Sequence, residues 1–161
     1  LFTDPAGTTL KDDAPRWSFP ADAQFTLSAH VSVEFASTFD AAVLVVWADE
    51  QRWGKLCFEF SPQGEPMIVS VVTNGVSDDC NSVPMVRRDI FLRVSRMDPA
   101  IAFHYSEDGV TWRMVRYFRL AGATAFSLGF SSQSPTGKGC TARFSDIRYT
   151  AQPISELRSG V

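Results

Sequence analysis

The sequence predicts an all-β chain folded as a two-sheet antiparallel sandwich, and three observations carry that expectation. Short segments between Phe25 and Thr150 alternate apolar and polar side chains at period two, which puts one set on a buried face and the other toward solvent. Turn residues separate these segments at short, regular spacing, and Asp108-Gly109 joins two of them as a hairpin signal, because Asp and Gly tolerate positive φ. No ten-residue stretch carries the period of a helix; ISEL (Ile154–Leu157) is the one candidate for a helical turn.

The elements follow in order. Residues 1–24 hold Asp, Pro, Gly, Thr and Trp17 without a long period and read as loops with short edge strands. FTLSAHVSVEF (Phe25–Phe35) places Phe25, Leu27, Ala29, Val31, Val33 and Phe35 on one face, with Thr26, Ser28, His30, Ser32 and Glu34 on the other. AAVLVVWA (Ala41–Ala48) is a β-branched strand, DEQRWG a turn, KLCFEF (Lys55–Phe60) a strand, SPQGEP a turn and MIVSVVT (Met67–Thr73) a strand. DIFLRVSR (Asp89–Arg96), AIAFHYS (Ala100–Ser106) and VTWRMVRYFRL (Val110–Leu120) come next. AFSLGFSS (Ala125–Ser132) and CTARFSDIRYT (Cys140–Thr150) complete the set around the turn QSPTGKG. With neither repeats nor a linker, residues 1–161 read as one domain, 151–161 forming a C-terminal tail.

Composition removes several function classes. The chain has 161 residues, 45% of them hydrophobic, enough for one core and too many for a disordered chain. Its longest apolar run, Ala41–Ala48, falls far short of the ~18 residues of a membrane span, so no membrane association is expected. The net charge of −3 divides unevenly: residues 1–80 carry 4 basic and 12 acidic side chains, residues 81–161 carry 11 and 6. The late basic residues are scattered Arg within apolar stretches such as RRDIFLRVSR, so neutralisation across neighbouring strands is expected in place of nucleic-acid binding. Cys57, Cys80 and Cys140 are too few for a disulfide scaffold, which favours a reducing, cytoplasmic location. Leu1 is not Met, so an excised export signal stays compatible with the sequence.

Three strings carry a resemblance: GKLCFEFSPQGEPMIVSVVTNGVSDD (Gly54–Asp79), FHYSEDGVTWRMVRYFRL (Phe103–Leu120) and GFSSQSPTGKGCTARFSDIRY (Gly129–Tyr149). In their order they resemble the family called domain of unknown function 1349, related to the yeast regulation-of-enolase protein within the concanavalin A-like lectin/glucanase superfamily. The shared pieces are a strand with Lys and Glu four apart, an SVVT strand leading to a Ser-Asp turn, a YS–DG–W hairpin, and Q-S-P-x-G followed by F-S-D-I. Where family members often carry Trp after the Ser-Asp, this chain has Asp79 and Cys80. The resemblance implies a jelly roll with a concave face, and relatives in the superfamily bind or cleave glycans, which makes carbohydrate the leading ligand class by analogy.

The residues themselves favour binding over catalysis. Glycoside hydrolysis needs two carboxylates about 5–9.5 Å apart, and no strand here carries the Glu-x-Asp-x-x-Glu pattern of glucanases on this fold; Glu34 and Glu59 are isolated. Lys55 and Glu59, four apart in a strand, share a face with Cys57 and are expected on the concave surface while Leu56, Phe58 and Phe60 fill the core. There they would hydrogen-bond sugar hydroxyls, Lys donating and Glu accepting, or form a surface ion pair worth about 0–1 kcal/mol. Ser70 and Arg93 would share that face if their strands are neighbours. Trp47 and Trp53 bracket the DEQR turn, where one exposed ring could stack on a pyranose. SEDGVTW (Ser106–Trp112) resembles an Asp box lacking one residue and is read as a structural hairpin, with Trp112 in the core. His30 and His104 stand far apart, Asp49, Glu50, Asp78, Asp79 and Asn81 lack the alternation of a calcium loop, and no cofactor or metal is expected.

The expectation is therefore a non-catalytic module that binds a carbohydrate or similar polar ligand through Trp47, Trp53, Lys55, Glu59, Ser70 and Arg93. A protein-interaction or metabolic regulatory module, and a glycoside hydrolase or lyase with an unrecognised acid pair, are the alternatives. A monomer and a homodimer both fit the sequence.

Overall fold

The computed structural model describes residues 1–161. Thirteen strands and no helix make up the chain. They are β1 (Phe2–Thr3), β2 (Leu10–Lys11), β3 (Arg16–Pro20), β4 (Phe25–Glu34), β5 (Ala41–Asp49), β6 (Arg52–Phe60) and β7 (Pro66–Asn74), followed by β8 (Val76–Pro84), β9 (Asp89–Met97), β10 (Ala100–Ser106), β11 (Arg113–Phe118), β12 (Ser127–Gln133) and β13 (Thr141–Thr150). Two antiparallel sheets form the sandwich, one ordered β11-β10-β9-β4-β13 and the other β3-β12-β5-β6-β7-β8. The short β1–β2 hairpin stands apart from both ladders.

Period-two burial explains the layering. In β4 the apolar set from Phe25 to Val33 is buried, and the intervening polar residues are partly exposed or exposed. These side chains meet Leu44, Leu56, Phe58, Ile68, Leu92, Phe103 and Leu128 in a core of 22 buried residues between the sheets. The central strands β5, β6 and β7 are buried on both faces, because a smaller cluster of Ala41, Val43, Val45, Cys57, Met67 and Val69 lies on the outer side of their sheet. That outer layer is the first sign that the six-stranded sheet is covered.

Several expectations change at this level. ISEL forms no helical turn; residues 151–161 run as turns, with the Ile154 amide and the Leu157 and Gly160 carbonyls bonded to Ser95, His104 and Arg93. Ser77, Asp78 and Asp79 are not a turn but part of edge strand β8, and the reversal falls at Gly75, which adopts φ 80°. Acidic side chains on such an edge deter pairing with other chains, which is why this strand lacks the usual β-branched pattern. Trp112 lies outside the inter-sheet core, half-buried against the Arg93 guanidinium at 3.9 Å. Asp108 does organise the hairpin: its carboxylate accepts from the Val110 and Thr111 amides and the Ser106 hydroxyl, bonds that hold it well below the usual carboxylate range. Broad neutralisation between early and late strands is not found. Arg52–Asp49, Arg87–Asp89 and Arg96–Asp98 are local pairs, and among Arg–carboxylate pairs only Arg116–Asp78 joins the two halves.

Gly129 makes a close approach that the sheet requires. It pairs with Ser18 of β3 and Val45 of β5, and a Cβ there would collide with the Trp17 carbonyl oxygen. Since backbone cannot rotate away as a side-chain tip can, Gly129→Ala is expected to destabilise the protein by about 1–3 kcal/mol. Urea unfolding reads this directly, and an unchanged midpoint would show that β3 is free to shift.

Candidate functional site

The cross-strand register decides which side chains meet on the outer face of the six-stranded sheet. Lys55 pairs with Val45 and Val71, and Val71 pairs with Asp79. Glu59 pairs with Ala41, which on its other side pairs with Gln133 of β12. Because the central position of that second row is alanine, nothing stands between the long side chains of Gln133 and Glu59. Gln133 Nε2 donates to Glu59 Oε2 at 3.2 Å, and its Oε1 accepts from Lys55 Nζ at 3.1 Å. Lys55, Glu59 and Gln133 thus form one polar chain, with exposures of only 5%, 8% and 9%.

The chain is placed at the floor of a cavity of about 380 Å³. Met67, Val69 and Val71 of β7 give it an apolar side, Phe2, Thr9 and Lys11 come from the β1–β2 region, and Asp79 and Asn81 come from β8. Phe39, Ser61 and Pro135 stand around the rest. An ammonium group has three donors and a carboxylate oxygen can accept twice. One Lys55 donor and one Glu59 oxygen are engaged with Gln133, and the remaining capacity faces the cavity.

Burial sets the electrostatics. Desolvation pushes the Glu59 carboxyl up to about 7, opposed by the Lys55 charge and assisted by Asp79. Cys57, between them on the same face and fully buried, is pushed up to about 12 by desolvation and stays a thiol. A carboxyl near 7 suits a general acid, yet hydrolysis needs a second carboxylate within about 10 Å. Asp79 lies two strands across and four residues along from Glu59, which strand geometry puts on the order of 16 Å away between Cα atoms. Asp79 lines the same cavity and acts on Glu59 through its charge, so it is the second acid that a hydrolytic reading would have to use.

Of the residues expected from sequence, the structure brings Lys55 and Glu59 together and separates the others. Ser70 pairs with Leu56 and therefore faces the inter-sheet core, where its hydroxyl is buried without a partner. A one-residue difference in register flips every side chain to the opposite face, and the odd-numbered residues of β7 are the outward set. Arg93 belongs to β9 of the other sheet, where it stacks on Trp112 and donates to the Gly160 carbonyl. Trp47 and Trp53 pair across β5 and β6 with rings stacked 6.2 Å apart, on the same face as Lys55 but toward the far end of their strands. Trp53 is buried beside Leu1, and the Arg16 guanidinium lies 4.1 Å over Trp47. Both line a separate cavity rather than the one above Lys55. Gln133 and Phe39, which sequence reading missed, are the residues that complete the site.

Comparison with known proteins places this fold. The chain matches, over residues 1–152, the family described as protein of unknown function DUF1349. It is 31% identical over 128 residues to "Regulation of enolase protein 1" of Saccharomyces cerevisiae, covering 79% of this chain and 64% of that protein. The chain thus spans slightly less than two thirds of that relative's length. A functionally unknown protein of Saccharomyces cerevisiae superposes with a TM-score of 0.86 at 28% identity, over 96% of this chain and 84% of that one. The GH43 protein BlXynB of Bacillus licheniformis gives a TM-score of 0.69 at 16% identity, over 80% of this chain and 28% of that one. A homodimeric agglutinin from chicken liver, CG-16, gives 0.54 at 8% identity, over 84% of this chain and 100% of that one. These last two likenesses show the shared β-sandwich, in agreement with the lectin/glucanase-like fold expected from sequence.

Proposed function

The chain belongs to the DUF1349 family of proteins of unknown function, and on that footing we propose that it is a non-catalytic, lectin-like module holding a small carbohydrate in the cavity above β6 and β7. The observation that carries this reading is the buried Lys55–Gln133–Glu59 chain. Removing charged groups from water costs several kcal/mol per ion, and here a neutral amide bridges them instead of a close ion pair. Such an arrangement is poor as a stabilising device. As a recognition device it fits a ligand whose hydroxyls both donate and accept, since within the chain Lys55 Nζ and the Glu59 carboxyl hydrogen-bond to Gln133 alone. A volume of about 380 Å³ lies near the lower end of small-molecule sites, about 300–1,000 Å³, which suits a mono- or disaccharide.

A glycan array followed by calorimetry tests the reading. Wild type is expected to bind at least one sugar, and Lys55→Met and Glu59→Gln to weaken it at least tenfold, about 1.4 kcal/mol or more. Trp47→Ala is expected to leave that affinity within twofold, because Trp47 lines a different cavity. No sugar bound, or unchanged affinity in both cavity variants, would remove the proposal.

The name of the yeast relative favours a second reading, a regulatory module that docks on a protein. Capture of a stoichiometric protein partner whose binding survives both cavity substitutions would favour it over the first.

A further inference from the structure

The Trp47–Trp53 pair lies away from the polar chain, which leaves the aromatic wall of the cavity to another residue. Phe39 lines that cavity, 37% exposed, and it is the one bulky side chain in the protein held at a left-handed backbone angle, φ 69°. A non-glycine residue of this bulk is an outlier there, and such conformations persist only where the surroundings over-determine them.

The surroundings here are specific. The Phe39 amide donates to the Phe60 carbonyl, and the Phe60 amide donates to the Asp40 carbonyl, pinning the loop to the end of β6 just beyond Glu59. Asp40 is fully buried; one of its carboxylate oxygens accepts from the Ala36 and Ser37 amides and the other from the Ser134 hydroxyl. Ser134 directly follows Gln133, so Asp40 ties the Phe39 loop to the end of the strand that supplies the bridging amide. A glycine at position 39 would meet the backbone requirement without strain. Phenylalanine stands there instead, with its ring partly open to the cavity.

We infer that Phe39 is the stacking platform of the site, and that the ligand is a ring sugar presenting a face of C–H groups to it while its hydroxyls meet Lys55 and Glu59. This rests on the carbohydrate reading above and narrows it to pyranosides over acyclic polyols, which offer the same hydroxyls without a rigid apolar face.

Saturation-transfer NMR and calorimetry with methyl β-D-glucopyranoside, methyl β-D-galactopyranoside and methyl β-D-xylopyranoside, with sorbitol as the acyclic control, test the inference. At least one pyranoside is expected to bind, with sorbitol at least tenfold weaker. Phe39→Gly is expected to lose at least tenfold in affinity while keeping the wild-type amide spectrum, because glycine adopts this φ freely. Phe39→Tyr, which keeps a ring, is expected to stay within threefold of wild type. Pyranoside binding that Phe39→Gly leaves unchanged overturns the platform and leaves the cavity reading standing, as does sorbitol binding as tightly as the pyranosides. Failure of all three pyranosides to bind wild type overturns the platform, and a glycan array that is also blank overturns the carbohydrate reading with it.

Discussion

Gln133→Leu is expected to destabilise the protein by about 3–5 kcal/mol and to abolish sugar binding in the cavity. Gln133 makes hydrogen bonds to two charged groups, Lys55 Nζ and Glu59 Oε2. Bonds of this type are worth about 1.5–3 kcal/mol each, and losing one partner leaves the other group buried without it. Direct pairing offers little relief. Four residues of strand separate the Cα atoms of Lys55 and Glu59 by about 13 Å, so both side chains would have to lie flat along β6 over Cys57. Leucine also has nothing to donate or accept. Urea unfolding at neutral pH measures the effect, and a loss below about 1 kcal/mol would mean that the charges are satisfied by water and that the bridge is incidental.

Glu59→Gln should do the reverse for stability while weakening binding. The sign follows from protonation: the Glu59 carboxyl titrates near 7 in the folded protein and near 4.5 when unfolded. The folded state therefore holds its proton more tightly. The stability associated with that proton is fully present below about pH 4.5 and is lost as pH rises through about 7. By linkage the difference amounts to about 3 kcal/mol above neutrality. Glutamine is always neutral, so the variant is expected to unfold at higher denaturant than wild type at pH 8, by up to that amount, with the advantage shrinking toward pH 4.5. A pH-independent difference between the two proteins would contradict the buried, strained state of this carboxyl. The carboxylate is costly to the fold, which is the expected pattern where a buried group is kept for binding.

The fold was legible because alternation is a local signal. Phe25–Phe35 announces its buried face residue by residue, and Asp108-Gly109 announces its turn. Edge strand β8 was hidden because its acids and asparagine face solvent, where charge keeps other strands from pairing with the edge, rather than a core. At the site, Lys55 and Glu59 could be paired from sequence because both lie on one strand at even spacing. Ser70 could not be oriented without the β6–β7 register, and Arg93 could not be assigned to a sheet without the strand order. Gln133 carried no local signal at all. It reaches Glu59 only because β12 lies next to β5 and because Ala41, between them, is small. Phe39 was equally silent, since nothing in its side chain reports the backbone angle that Asp40 imposes.

A sugar held at the Lys55–Gln133–Glu59 chain would lie over the outer face of the six-stranded sheet. Amide chemical-shift mapping during titration with the three methyl pyranosides locates it. Saturable shifts are expected at the Lys55, Glu59 and Val71 backbone amides and at the Gln133 side-chain amide, and the backbone shifts are expected to vanish in Gln133→Leu. Shifts confined to the outer face of the five-stranded sheet around Arg93 and Trp112, or no saturable shifts with any of the three sugars, would contradict it.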